Sequence, residues 1–209
     1  ADLSTKLPYV EEQNVITCQN IKPETGQIHI ERADTEQIHV SLGYPGASAN
    51  ERTKYAVCLI NLILGSGMSS LLFKEVREKR GLAYDIESRQ YNFNDCGYFT
   101  ISAGLSKDRL QESLKLIESV TSNCYQTIDE KALHKAKRMY EGKLILSMED
   151  NLSIAEFNAA SQLFTGCVGD IKEHLKKINE VNLTEIKEIA KLYLSEPEPN
   201  VSIVGPVKE

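Results

Sequence analysis

The sequence predicts an α+β fold in which a largely antiparallel β-sheet is covered on one face by helices. Three patterns predict it. Residues 27–44 alternate apolar and polar, residues 83–105 read as two strands about a turn, and most of the chain after residue 108 repeats with helical period. Strands gathered early and helices gathered late give segregated layers rather than a βαβ succession.

Each element has a local reason. Ile28 and Ile30 oppose Gln27, His29 and Glu31. After Ala33-Asp34-Thr35 the alternation resumes, with Ile38, Val40, Leu42 and Tyr44 opposing Gln37, His39, Ser41 and Gly43. Period two with one apolar side is a half-buried strand, and Pro45-Gly46 is expected to end it. Tyr55, Cys58, Leu59, Leu62 and Ile63 then fall three and four apart, the stripe of a core-facing helix, and Gly65-Ser66-Gly67 stops it. Ser69 or Ser70 is placed to cap a second helix that carries Leu71, Leu72 and Val76 and ends near Gly81. Strands over Ala83 to Phe93 and Tyr98 to Leu105 flank the turn cluster Asn94-Asp95-Cys96-Gly97, which predicts an antiparallel hairpin.

The remainder is read as helices. Asp108 to Tyr125 carries Leu110, Leu114, Ile117 and Val120 at helical spacing. Thr127-Ile128-Asp129-Glu130 has the capping-box form and opens a helix toward Leu146. Asn151 to Phe164 and Asp170 to Ile178 follow, and Asn182-Leu183-Thr184-Glu185 starts a last helix with Ile186, Ile189, Ala190 and Tyr193 on one side. Pro197 and Pro199 end it, and Val201 to Val204 is expected to return as a strand. Residues 1–26, polar and containing Pro8 and Pro23, read as a linker or N-terminal arm, and residues 27–209 as a single domain.

Composition excludes partners more than it names them. The chain has 209 residues, with 24 Lys and Arg against 30 Asp and Glu, a net charge of −6. No basic surplus is available to neutralise nucleic-acid phosphates or an anionic membrane, so neither is expected as a partner. Apolar stretches such as Leu59 to Leu64 are far too short to span a bilayer. Cys18, Cys58, Cys96, Cys124 and Cys167 are odd in number and form no Cys-x-x-Cys pair. They read as unpaired thiols in a reducing, cytoplasmic setting.

The candidate chemistry is sparse. The histidines are His29, His39, His134 and His174, and none belongs to His-Glu-x-x-His or to the inverted His-x-x-Glu-His. His29 and His39 lie on polar strand sides and would share a metal only if their strands paired. His134 and His174 sit among lysines and read as solvated, so neither a metal site nor a cofactor is expected within this chain. Gly65 to Ser70 lacks the lysine of a phosphate-binding loop and follows a helix, which favours a tight turn with a serine cap. Lys74, Arg77, Lys79 and Arg80, interleaved with Glu75 and Glu78, read on their own as a solvated helix face.

That stretch reads differently together with its neighbours. Asp34-Thr35-Glu36-Gln37-x-His39, Gly43-Tyr44-Pro45-Gly46 and the long run from Gly65 to Tyr84 resemble the C-terminal half of the pitrilysin family. These zinc metallopeptidases include insulin-degrading enzyme and the mitochondrial processing peptidases, and the bacterial processing-protease branch is the nearest in pattern. The resemblance continues through Gly142 to Asp150 and the closing Val204-Gly205-Pro206, covering about residues 27 to 206.

The resemblance implies a LuxS/processing-peptidase-like half of a metallopeptidase clamshell. In such proteins an N-terminal half carries His-x-x-Glu-His and the zinc, while the C-terminal half supplies an arginine and a tyrosine seven positions apart. Arg77 and Tyr84 match that pair, which implies auxiliary contacts to a peptide carbonyl and its developing oxyanion. The partners it implies are a peptide substrate and a His-x-x-Glu-His half, in the same parent chain or a separate subunit, with a homodimer as a further form. The expected role is therefore to complete the active site of a zinc metalloendopeptidase, inactive without the zinc half. The alternative is a non-catalytic structural or binding subunit, as in respiratory core proteins. Ala1 reads as a cut or a subunit boundary.

Overall fold

Alternation of apolar and polar residues produces five strands, and together they make one sheet. The computed structural model describes residues 28–32 and 37–206. The strands are β1 (Ile28–Arg32), β2 (Ile38–Gly46), β3 (Ala83–Asn92), β4 (Gly97–Leu105) and β5 (Asn200–Gly205). Their order is β1-β5-β2-β4-β3, with β1 parallel to β5 and every other pairing antiparallel. The linker assigned to residues 1–26 lies outside the described residues.

Register explains the two faces. Val40 stands opposite Ala103 and Ile203, and Ala103 opposite Ile86; Leu42 stands opposite Ile101 and Val201. All of these are buried. The intervening row of His39, Ser41, Gly43, Thr100, Ser102 and Ser202 is exposed or half-buried. A helix layer accompanies the sheet: α1 (Lys54–Leu64), α2 (Leu110–Ser122), α3 (Cys124–Thr127), α4 (Glu130–Ser147), α5 (Asn151–Thr165), α6 (Ile171–Glu180) and α7 (Leu183–Ala190), all but α5 with at least one buried residue. Leu59, Ile60, Ile117, Ile186 and Ala190 from this layer share one core with the sheet.

Several local expectations change. The helix expected from Ser69 to Gly81 is a π-helical turn over Phe73–Glu78, with the Ser70 hydroxyl accepting from Phe73 N–H at 3.4 Å. The helix expected from Asp108 to Tyr125 breaks at Asn123, after a 3₁₀ turn over Lys107–Arg109. Pro45 does not end its strand. β5 stops opposite Gly43, so on that side Pro45 has no ladder in which its missing N–H would be needed. β1 and β2 do not pair, because β5 lies between them, and His29 stands opposite Ser202 while His39 stands opposite Val204, so two strand spacings and two residues of register put their backbones about 12 Å apart.

Thr127 does not cap α4. Its hydroxyl donates back to Cys124 O at 2.9 Å, while the Asp129 carboxylate accepts from Ala132 N–H at 2.7 Å. Asp129→Ala is therefore expected to lower stability by about 1 kcal/mol. Thr127→Ala is expected to cost clearly less in the same urea titration, and equal losses would contradict this assignment of the cap.

Candidate functional site

Arg77 and Tyr84 are placed by the path between helix layer and sheet. The π turn is closed by Lys79 N–H donating to Lys74 O at 2.9 Å, and it buries Leu72 and Val76 while leaving Arg77 exposed. The Arg77 guanidinium lies 5.0 Å from the Phe73 ring, a cation–π contact that lays the long side chain along the surface. Glu75 is engaged by Lys79 at 2.7 Å. No carboxylate among the described residues lies within ion-pair distance of Arg77.

Gly81, at φ +57, turns the chain back, with its N–H donating to Arg77 O at 3.1 Å and Leu82 N–H donating to Val76 O at 3.0 Å. A side chain there would have to sit in the left-handed region that glycine enters at no cost. Leu82 and Ala83 then anchor the start of β3 in the core. At this point the ladder skips a residue: Ala83 pairs with Leu105 and Asp85 with Gly104. Tyr84 is thus the extra residue of a β-bulge, 58% exposed. Bulges re-aim side chains and recur beside active sites. β3 is also the outer strand of the sheet.

Arg77 and Tyr84 are both exposed, on either side of the Gly81 turn. A guanidinium offers a fixed fork of N–H groups and a phenol a single O–H. Arg80, four residues from Tyr84, is tied differently, its carbonyl accepting from Arg109 Nη1 at 3.3 Å.

The sequence did not reveal the bulge. The Phe73 shelf was detectable, because a phenylalanine four residues before Arg77 lies on the same side of a helix. The reading of His174 as solvated is also corrected. Its ring is half-buried, with Nε2 2.6 Å from the Tyr140 hydroxyl. His134 is exposed on α4 and His39 exposed on the sheet's polar face. No group of three or more His, Cys, Asp or Glu placed to hold a metal occurs among the described residues.

Residues 3–140 match the profile of the peptidase M16 inactive domain. The chain belongs to the peptidase M16 family. Relatives of this M16 domain include an uncharacterised zinc protease of Streptomyces coelicolor, 32% identical over 192 residues, covering 88% of this chain and 40% of that protein. Another, from Bacillus subtilis, is 31% identical over 178 residues, covering 83% and 44%.

A solved peptidase M16 inactive domain from Pseudomonas fluorescens superposes with a TM-score of 0.77 at 24% identity, over 87% of this chain and 44% of that one. At that identity the likeness establishes the fold. The M16 domain thus spans less than half the length of these relatives. The described residues do not fit the zinc that the relatives' names imply, since their histidines are dispersed and no metal-ligating group forms. No helix among them is long and apolar enough to cross a membrane.

Proposed function

We propose that this M16 domain is the substrate-binding, active-site-completing half of a zinc metalloendopeptidase. The observation that carries the reading is Tyr84 lifted out of the ladder at a bulge on an outer strand, one turn beyond an exposed Arg77 that has no carboxylate partner among the described residues. A peptide laid along β3 would add a strand to the sheet and gain main-chain hydrogen bonds. Its scissile carbonyl would meet Arg77 and Tyr84, whose donors strengthen as the oxygen becomes negative. A His-x-x-Glu-His half would hold the zinc, and a bound zinc would supply Lewis-acid chemistry and activation of water. This chain binds and orients.

The test mixes the chain with a separately expressed His-x-x-Glu-His half and follows cleavage of a fluorogenic peptide. Hydrolysis is expected in the mixture and in neither component. Activity of the zinc half that does not rise on mixing would overturn the proposal and favour a structural subunit.

A further inference from the structure

A second constellation lies in the helix layer, away from Arg77 and Tyr84. The His174 ring is 5.2 Å from Tyr55 and 5.9 Å from Phe157, both edge-on, and 5.8 Å from Tyr140, nearly parallel. Burial and the neighbouring Lys54 and Lys177 hold the imidazole below its ordinary pKa, and burial holds the Tyr140 phenol above its own. The phenol therefore keeps its proton, and across 2.6 Å it donates to Nε2 in one ring tautomer or accepts from Nε2–H in the other.

Two adjoining cavities, of about 510 and 280 Å³, share Lys54, Tyr55, Phe164 and His174 as walls. Both are of a size suited to small ligands. The aromatic walls favour a flat ring. The smaller cavity also reaches Gln90 of β3, whose Oε1 is buried and has no hydrogen-bond partner among the described residues. A buried acceptor left unpaired is costly, so it calls for a donor.

Two lysines, Lys54 and Lys177, and two carboxylates, Asp170 and Glu173, line the site. Lys54 donates to Ala49 O, with its ammonium 5.2 Å from the Tyr55 ring, and burial together with Lys177 depresses its pKa. The nearby carboxylates are already engaged. Asp170 caps α6 by accepting from Lys172 N–H at 2.8 Å and Glu173 N–H at 3.3 Å. Glu173 lies 3.8 Å from both Lys176 and Lys177. No carboxylate among the described residues pairs with Lys54.

We propose that this paired cavity binds a small aromatic carboxylate whose ring system carries one N–H. The ring packs among Tyr55, Phe164 and His174, the N–H donates to Gln90 Oε1, and the carboxylate pairs with Lys54. The site shares no residue with the Arg77–Tyr84 pair, so it stands whether or not the peptidase reading does.

The test titrates indole-3-acetate into the chain by calorimetry and ligand-detected NMR. Saturable one-to-one binding is expected. The benzofuran analogue, with oxygen in place of the ring N–H, is expected to bind several-fold more weakly. Lys54→Met is expected to weaken indole-3-acetate about tenfold with an unchanged circular dichroism spectrum. Gln90→Leu is expected to abolish the difference between the two ligands. If that variant fails to fold, the two-ligand comparison on the parent chain still tests the N–H. No saturation at millimolar probe, or affinity untouched by Lys54→Met, would overturn the proposal.

Discussion

Arg77→Ala and Tyr84→Phe are each expected to lower kcat/KM for peptide hydrolysis by about 10²–10³-fold in the chain paired with its zinc half. That is the scale of losing one preorganised donor to a developing oxyanion. Tyr84→Phe is the cleaner change, because it removes only a hydroxyl from a ring that is 58% exposed at a bulge. Stability is then expected to stay within about 0.5 kcal/mol of the parent. Arg77→Ala also removes the contact with Phe73, a surface cation–π pair of about 0.5–1 kcal/mol. Arg77→Lys separates charge from geometry, since an ammonium keeps the charge without the fork and should fall between parent and alanine.

The kinetic signature matters as much as the size. Donors that act in the transition state lower kcat, whereas donors that only hold the peptide raise KM. If both residues serve one oxygen, the double variant loses less than the product of the single losses. Arg80→Ala is the control, because Arg80 lacks the seven-residue spacing to Tyr84. Parent-like rates in both Arg77→Ala and Tyr84→Phe would remove these residues from the mechanism.

Which of these features the sequence disclosed follows the range of the forces involved. Alternation through Ile38, Val40 and Leu42 gave β2 directly, since period two is a property of the backbone. Asn182 capping α7 by accepting from Glu185 N–H at 2.9 Å was equally local. The capping-box form at Thr127 pointed two residues early, because Thr127 still belongs to α3 and Asp129 is the extended residue that precedes α4. β5 entering between β1 and β2 joins segments more than 150 residues apart, and no local pattern encodes it. The bulge at Tyr84 depends on how β4 presents Leu105 and Gly104. His174 looked solvated because its sequence neighbours are lysines. Its surroundings are set by Tyr55 and Tyr140, on other helices. Arg77 and Tyr84 became visible through a resemblance to the whole Gly65–Tyr84 pattern rather than through their own chemistry.

Phe99→Ala is expected to cost about 3–5 kcal/mol, a large share of the 5–15 kcal/mol that usually holds a domain together. The chain has no Trp and five Phe, and Phe99, 1% exposed, is the largest fully buried side chain among the described residues. It is the third residue of β4, opposite Tyr44 of β2 and Gln90 of β3. A strand hydrogen-bonded on both sides has little freedom to collapse into the space an alanine leaves, which places the loss toward the upper part of the range. Phe93→Ala is the matched comparison. That ring is 47% exposed and stacks on Tyr98 at 5.9 Å, so its loss should stay within about 1 kcal/mol. Urea titration should show the Phe99 variant's midpoint falling at an unchanged m-value, and equal losses at Phe93 and Phe99 would contradict this account of the core. Because β4 carries β3, and β3 carries the bulge, activity in Phe99→Ala should track the folded fraction. The rate per folded molecule should stay near the parent value, which separates a weakened frame from a damaged site.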